Sequence, residues 1–222
     1  MTAECISPIQ GTRYRLVREN ACGVPVTGAG SLIVGDGFVE ALISPQYQDG
    51  VEYRLTKANG DFCVNTDGDD KLIRADVDIR FCAVNPDAVT ITTGMTLITT
   101  GSPAATGTGF WAVEGAVTSR WSLELWAADP DTCTGVQARY AYWAFPHLGA
   151  GRISDFAVKE DVFEWRIKAK TRKANTLWGA GPGAVKYINQ VPANAHWGFN
   201  IVHLDPPANT GPDCGAQTLE AA

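Results

Sequence analysis

The chain of 222 residues lacks the short motifs that mark the common cysteine, nucleophile and nucleotide sites. Its six cysteines lie far apart and include no C-x-x-C pair, which excludes the usual zinc and dithiol redox motifs. Glycine is frequent, yet no G-x-S-x-G, G-x-G-x-x-G or P-loop occurs. These absences disfavour the corresponding enzymes. We expect a protein without catalytic residues, bound cofactor or metal ion.

Segments that would direct the chain to a membrane are also missing. Residues 1–10 have neither the basic start nor the apolar run of a signal peptide, and no apolar stretch approaches the roughly 18 residues of a membrane span. There is no N-x-S/T acceptor for glycosylation. We therefore expect assembly in a reducing cytoplasm, cysteines that are buried free thiols, and no membrane partner.

Positive charge is the minority: 18 Lys and Arg stand against 24 Asp and Glu, for a net charge of -6. This balance gives no bulk attraction to nucleic acid or to an anionic membrane. The three histidines, His147, His196 and His203, do not have ligand spacing and are predicted to be structural. The acidic run 65–70 lacks the glycine position and the distal glutamate of a calcium loop, so we interpret it as a solvated turn.

Short alternating segments separated by turn residues dominate the chain. Residues 74–81 alternate strictly between charged and apolar side chains, which predicts a half-buried strand. Asn85 can cap a following helix and Gly94 can end it, although the β-branched residues between them require tertiary packing against a sheet. We predict a mainly β, antiparallel sandwich or partly closed barrel with one short flanking α-helix. Residues 1–203 form a single domain, and residues 204–222 an extended C-terminal tail.

Turn residues and Thr-rich composition indicate the structure of two further segments. Asn59–Gly60 is the strongest short hairpin signal in the chain. The stretch Met95–Gly109 is rich in Thr and Gly, which predicts a long mobile loop that orders when subunits stack. The seven tryptophans alternate with polar residues, which favours core or subunit packing over a sugar-binding platform.

Two charged clusters are the candidate contact sites. A basic row alternates with apolar residues along one predicted strand, and an acidic turn lies earlier in the chain. The basic row contains Arg166, Lys168, Lys170 and Arg172, and the acidic turn contains Asp67, Asp69 and Asp70. The row is either a solvated face, a grip for phosphates, or a surface that pairs with acidic residues of a neighbouring subunit. We favour the last interpretation and expect both clusters at subunit or ring contacts.

Several phrases, by their number and order, resemble the major tail proteins, or tail tube subunits, of long-tailed, non-contractile bacteriophages that infect actinobacteria. None is a catalytic motif, and together they span most of the chain. They are Phe38-Val-Glu-Ala-Leu-Ile-Ser-Pro45, Gly50-Val-Glu-Tyr53, Lys57-Ala-Asn-Gly-Asp-Phe-Cys-Val-Asn65, Phe81-Cys-Ala-Val-Asn-Pro-Asp87 with Thr93-Gly94, Trp121-Ser-Leu-Glu-Leu-Trp126, Ala141-Tyr-Trp-Ala-Phe-Pro146 and Leu177-Trp-Gly-Ala-Gly-Pro182. The helix is richer in Thr than the Leu-rich helix of that family.

The resemblance implies a structural virion protein of the tail, assembled in the host cytoplasm. Subunits close into hexameric rings, and rings stack into a tube through which genomic DNA passes without specific binding. Tape-measure, tail-tip and tail-terminator proteins are the expected partners besides further copies of the chain. The alternative is a carbohydrate-binding β-sandwich module of a tail-fibre or surface protein, and a third possibility is a hydrolase without recognisable motifs.

Overall fold

The computed structural model describes residues 6, 10–36, 38–81, 85–101, 106–130, 138–156, 165–175, 178, 191–208 and 217–219. Within these ranges the chain is mainly β, with one helix, α1 (Pro86–Thr93). The strands are β1 (Gln10–Arg18), β2 (Gly28–Gly35), β3 (Phe38–Gln48), β4 (Tyr53–Thr56), β5 (Phe62–Thr66), β6 (Lys71–Phe81), β7 (Thr96–Thr100), β8 (Thr106–Trp111), β9 (Trp121–Ala128), β10 (Tyr140–Leu148), β11 (Arg152–Ile153), β12 (Trp165–Lys170), β13 (Gly198–Val202) and β14 (Gln217–Leu219).

The strands form two larger antiparallel sheets and two separate hairpins. One sheet has six strands in the order β13-β10-β9-β1-β2-β14, and the other has four in the order β11-β12-β6-β3. Among the described strands, β4 and β5 pair only with each other, as do β7 and β8. Neither sheet closes on itself within the described ranges. The prediction of a mainly β, antiparallel fold with one short helix is confirmed, in its sandwich form.

The main core lies between the two sheets. Tyr14 and Leu16 of β1 pair with Leu125 and Leu123 of β9, which places all four on one face of the six-stranded sheet. That face packs on the apolar face of the four-stranded sheet and on the helix in one cluster, which includes Ile79. Burying each of these large side chains stabilises the fold by about 1.5–3 kcal/mol. The core thus fixes the inner face of each sheet.

The helix begins and ends as its caps predict. The Asn85 side chain accepts hydrogen bonds from the backbone nitrogens of Asp87 and Ala88, at 3.0 and 3.1 Å. Gly94 has a left-handed φ of 76° and donates to the Thr90 carbonyl at 2.8 Å. The hydroxyl of Thr93 donates to the Val89 carbonyl, which satisfies that polar side chain inside the core. Packing on both sheets holds the helix despite its β-branched residues.

The prediction of a long loop at Met95–Gly109 is wrong. Thr96–Thr100 and Thr106–Trp111 form a hairpin, with Leu97 paired with Phe110. Thr is β-branched and is common in strands as well as in loops, so a Thr-rich composition does not distinguish the two. Phe110 packs edge-on against Trp165 and helps anchor the hairpin to the main core.

The predicted tail 204–222 contains a strand. Gln217–Leu219 pairs antiparallel with β2 and becomes an edge of the six-stranded sheet. Three residues are too few to show a periodic pattern in the sequence. The pairing also depends on a strand almost two hundred positions away. This segment of the tail is therefore part of the sheet.

A second apolar cluster covers the opposite face of the six-stranded sheet. Trp126 and Tyr142 of that sheet pack with Trp178, Val191 and Val202. The sheet consequently has apolar neighbours on both faces, as a central layer does.

A buried polar network lies beside this cluster. The Arg15 guanidinium forms two hydrogen bonds with the Glu124 carboxylate, and the Tyr142 hydroxyl donates to the same carboxylate at 2.6 Å. Arg15 also lies over the Trp126 ring, 5.9 Å from its centre. The charges are thus paired and hydrogen-bonded, as burial requires.

Candidate assembly interface

The β4–β5 hairpin leaves the body of the protein as an arm, which we define as residues 49–70. Its turn is the one predicted at Asn59–Gly60. Gly60 has a φ of 92°, and the backbone nitrogen of Lys57 donates to the Asp61 carbonyl at 2.7 Å. Strands β3 and β6 lead into and out of it, so the arm is the distal part of one long hairpin. At about 3.3 Å per residue it projects roughly 25 Å from Val51 to the turn.

Both faces of the arm are exposed. Every residue from 51 to 73 is exposed, including large apolar ones. The prediction of buried thiols is wrong for Cys63, which lies on the arm, and for Cys22, because both are exposed. Val51, Tyr53, Leu55 and Phe62 retain 58–64% of their surface in solvent. An isolated two-stranded hairpin is marginally stable in water, and an apolar patch of this kind marks an interaction site. The sequence pattern predicted the hairpin. It did not indicate that both faces of the hairpin would be exposed to solvent and not packed on the rest of the chain.

Close packing of two glycines fixes the neck of the arm. A Cβ added to Gly50 would lie 1.8 Å from the Gly68 carbonyl oxygen, so only glycine fits there. Asp70 of the predicted acidic turn accepts a hydrogen bond from the Gly50 nitrogen at 2.9 Å. Asp70 therefore has a structural role at the neck.

Most of the chain's net negative charge is on the arm. Six acids, Asp49, Glu52, Asp61, Asp67, Asp69 and Asp70, and two cations, Arg54 and Lys57, give residues 49–70 a formal charge of -4, against -6 for the whole chain. The remainder is close to neutral. The net negative charge of the sequence is thus concentrated in one segment.

The outer face of the four-stranded sheet is charged. Its side chains form three rows across the strands, as the registers define them: Glu40, Arg80 and Arg166; Leu42, Asp78, Lys168 and Arg152; and Ser44, Asp76 and Lys170. The alternation predicted for the basic row is confirmed over Trp165–Lys170, where even-numbered residues face outward. All three acids lie on β3 and β6, so the opposite half of this face is purely basic.

We call that half the basic strip, formed by Arg152, Arg166, Lys168 and Lys170. Arg166 and Lys168 each approach the Asp78 carboxylate at 3.7 Å, and Arg166 approaches Glu40 at 3.9 Å. Arg152 and Lys170 contact no acid within the described ranges. The strip carries four positive charges, and its neighbours offset them only in part.

Arg172, the last residue of the predicted basic row, lies apart from the strip. Its backbone nitrogen donates to the His147 carbonyl at 2.8 Å. Its charge also lowers the pKa of His147 and of Arg120, after the larger effect of burial on each. Of the predicted contact residues, the structure therefore groups Arg166, Lys168 and Lys170, and it places Asp67 and Asp69 on the arm.

Strand β3 leaves one edge of the four-stranded sheet open. It pairs only with β6 among the described strands. The Ala75 nitrogen and carbonyl face β12, since they bond to Thr171. Alternation then turns the backbone of Pro45, opposite Ala75, toward the open side, where proline has no N–H to offer. Such an edge invites strand pairing, and proline limits it.

The tryptophans are mostly interior. Trp121, Trp126, Trp165 and Trp178 are buried, whereas Trp111 and Trp197 are exposed. No group of three or more His, Cys, Asp or Glu side chains in the described part of the chain is arranged to hold a metal ion. Within the same ranges, no helix is long and apolar enough to cross a membrane.

Comparison with known proteins gives no further guide. No protein-family model matches the chain, and no curated protein sequence matches it significantly. The surfaces of the protein that bear on its function are the arm, the basic strip and the open edge.

Proposed function

We propose that this chain is a structural subunit that assembles with copies of itself, as the tail tube subunit of a long-tailed bacteriophage. The observation that carries the proposal is the arm. A segment of more than twenty residues projects from a well-packed sandwich and exposes apolar side chains on both faces. Such a segment gains stability only where another surface covers it.

A second copy is the partner that these surfaces favour. An arm that reaches roughly 25 Å from its own body is long enough to lie on a neighbour. Contacts of this head-to-tail kind close into a ring or continue as a helical stack, because the surfaces that meet are different. Closure would also cover the open edge of β3. Hexameric rings that stack into a tube are the form we propose, with tape-measure, tail-tip and tail-terminator proteins at its ends and interior.

Passage of DNA places a condition on the charges. Duplex DNA carries one negative charge per about 1.7 Å, so exposed rows of cations along a channel would hold it. The basic strip must therefore be covered or face away from the channel in the assembled tube. DNA would then slide through without specific binding.

A carbohydrate-binding module is the alternative. Burial of four of the seven tryptophans reduces the aromatic surface that a sugar could stack on. Trp111 and Trp197 are the exposed ones that such a site would have to use. A monomer whose tryptophan fluorescence shifts on adding a glycan would favour this alternative.

Excision of the arm tests the proposal. Because Gly50 and Gly68 are in contact, residues 51–67 can be replaced by a short Gly-Ser linker with the body left closed. We expect the excised variant to keep its circular dichroism spectrum and cooperative unfolding but to remain monomeric by light scattering, where the full chain assembles. Equal assembly of both proteins would contradict the proposal.

A further inference from the structure

The arm and the basic strip have opposite charge and equal formal magnitude. The arm carries -4 and the strip carries four cations. We propose that the arm of one copy lies across the basic strip of an adjacent copy. This inference rests on the proposed function and deepens it by naming the two surfaces that meet.

The two surfaces do not satisfy each other within one chain. Among the described residues, the ion pairs of the arm acids involve Arg54 alone, which lies 3.3 Å from Glu52 and 3.7 Å from Asp67. All charged side chains of the arm are exposed, and none of them forms an ion pair with the strip in the described part of the chain. A contact between arm and strip is therefore intermolecular.

The dimensions of the two surfaces agree. Four strands at about 4.8 Å spacing make a face roughly 15 Å across, and the arm is longer than that. Leu42 lies on the same outer face, in the row of Asp78 and Lys168, and is 53% exposed. It offers the apolar side chains of the arm a contact beside the charges. Charge complementarity then selects the register and suppresses alternatives.

Docking also meets the condition that DNA passage sets. An arm on the strip places carboxylates against Arg152 and Lys170, which contact no acid within the described ranges of their own chain. The strip is thereby both neutralised and covered. The carboxylates of the arm are used at the same contact, so neither surface remains as a separate charged patch.

Reciprocal charge reversal tests the docking. One variant reverses two acids of the arm, Asp67→Lys with Asp69→Lys, which takes its formal charge from -4 to 0 and leaves Asp70 at the neck unchanged. A second reverses two cations of the strip, Lys168→Glu with Lys170→Glu, which takes its four positive charges to a net of 0. A third combines all four substitutions. Matched controls make the same changes of charge elsewhere on the exposed surface: Asp36→Lys with Glu114→Lys, and Arg18→Glu with Lys173→Glu.

We expect each single-surface variant to need at least about tenfold more protein to assemble, because the attraction between the surfaces is lost and the substituted side chains meet like charges where they are proposed to pair. The combined variant should assemble at close to the wild-type concentration, and an equimolar mixture of the two single-surface variants should also assemble. The controls should behave like the wild type. Wild-type assembly by either single-surface variant, or failure of both the combined variant and the mixture, would overturn the docking.

Cross-linking gives a direct reading of the contact. Isotopically heavy and light wild-type chains are mixed, assembled and treated with a carbodiimide, which joins a lysine amine to a nearby carboxylate. We expect heavy–light links between Asp67 or Asp69 and Lys168 or Lys170. Tubes without these links would overturn the docking alone. A chain that stays monomeric at every concentration and forms no heavy–light link would contradict both the docking and the proposed function.

Discussion

The Oε2 atom of Glu19 lies 2.6 Å from Nδ1 of His147, and both side chains are buried. This contact joins the end of β1 to β10, which lie on either side of β9 in the same sheet. Burial raises the pKa of Glu19 to about 9. Burial first, and then the charges of Arg172 and Arg120, lower the pKa of His147 to about 4. At neutral pH the pair therefore holds one titratable proton, shared between the carboxyl group and the ring nitrogen.

Replacing Glu19 by Gln should remove an alkaline loss of stability. In the wild type, the folded state keeps a proton that an unfolded glutamate releases above its ordinary pKa of 4.5. The free energy of unfolding therefore falls as pH rises from 4.5 toward 9, by up to about 1.4 kcal/mol per pH unit. Glu19→Gln cannot titrate and should lack this fall. Urea unfolding at a series of pH values measures it, and parallel curves for the two proteins would refute the shared proton.

Replacing His147 by Asn should act on the acid side. An unfolded histidine takes up a proton below its ordinary pKa of 6.5, whereas His147 resists protonation until about pH 4. The free energy of unfolding of the wild type should therefore fall as pH drops from 6.5 to 4. His147→Asn should lack that component between pH 6.5 and 4, whatever its stability at pH 7. His203→Asn, which is exposed, serves as the control.

The buried ion pair should respond differently to the loss of one partner and of both. Glu124→Ala leaves the Arg15 cation buried without its carboxylate and should cost about 3–5 kcal/mol. Arg15→Met combined with Glu124→Met replaces the pair by apolar side chains and should cost less than Glu124→Ala alone. Urea unfolding of the three proteins measures the difference. A double variant less stable than the single one would contradict this account of the network.

Opening the neck of the arm should separate folding from assembly. Alanine at Gly50 places a Cβ against the Gly68 carbonyl, so the neck must move and the arm must change direction. The core does not include this site, so stability should change by less than about 1 kcal/mol. Light scattering should show weaker assembly for Gly50→Ala, and Thr66→Ala, an exposed change on the arm, should assemble normally. Normal assembly of Gly50→Ala would mean that arm direction is unimportant.

Local chemistry explains which parts of the fold could be predicted from sequence. Asn85 and Gly94 bound the helix because caps act within a few residues, and Asn59–Gly60 sets a hairpin by its own backbone preference. Alternation along Trp165–Lys170 likewise indicated which side faces outward. Each signal lies within the element that it describes.

The features of the fold and the site that could not be predicted depend on contacts between residues distant in the sequence. Glu19 and His147 are 128 positions apart, and no pattern around either one indicates the other. Met95–Gly109 has strand-forming Thr residues, but pairing of β7 with β8 decides that they form a hairpin. Asp67, Asp69 and Lys168 were predictable as charged contact candidates. Their placement on an arm and a strip follows from sheet register, which the sequence does not show.

Negative-stain electron microscopy of the purified full chain across a concentration series shows whether the chain assembles with copies of itself. Self-assembly through the arm predicts rings or striated tubes with an open channel, which appear above a threshold concentration and are absent for the arm-excised variant. Isolated particles of monomer size at every concentration would contradict it.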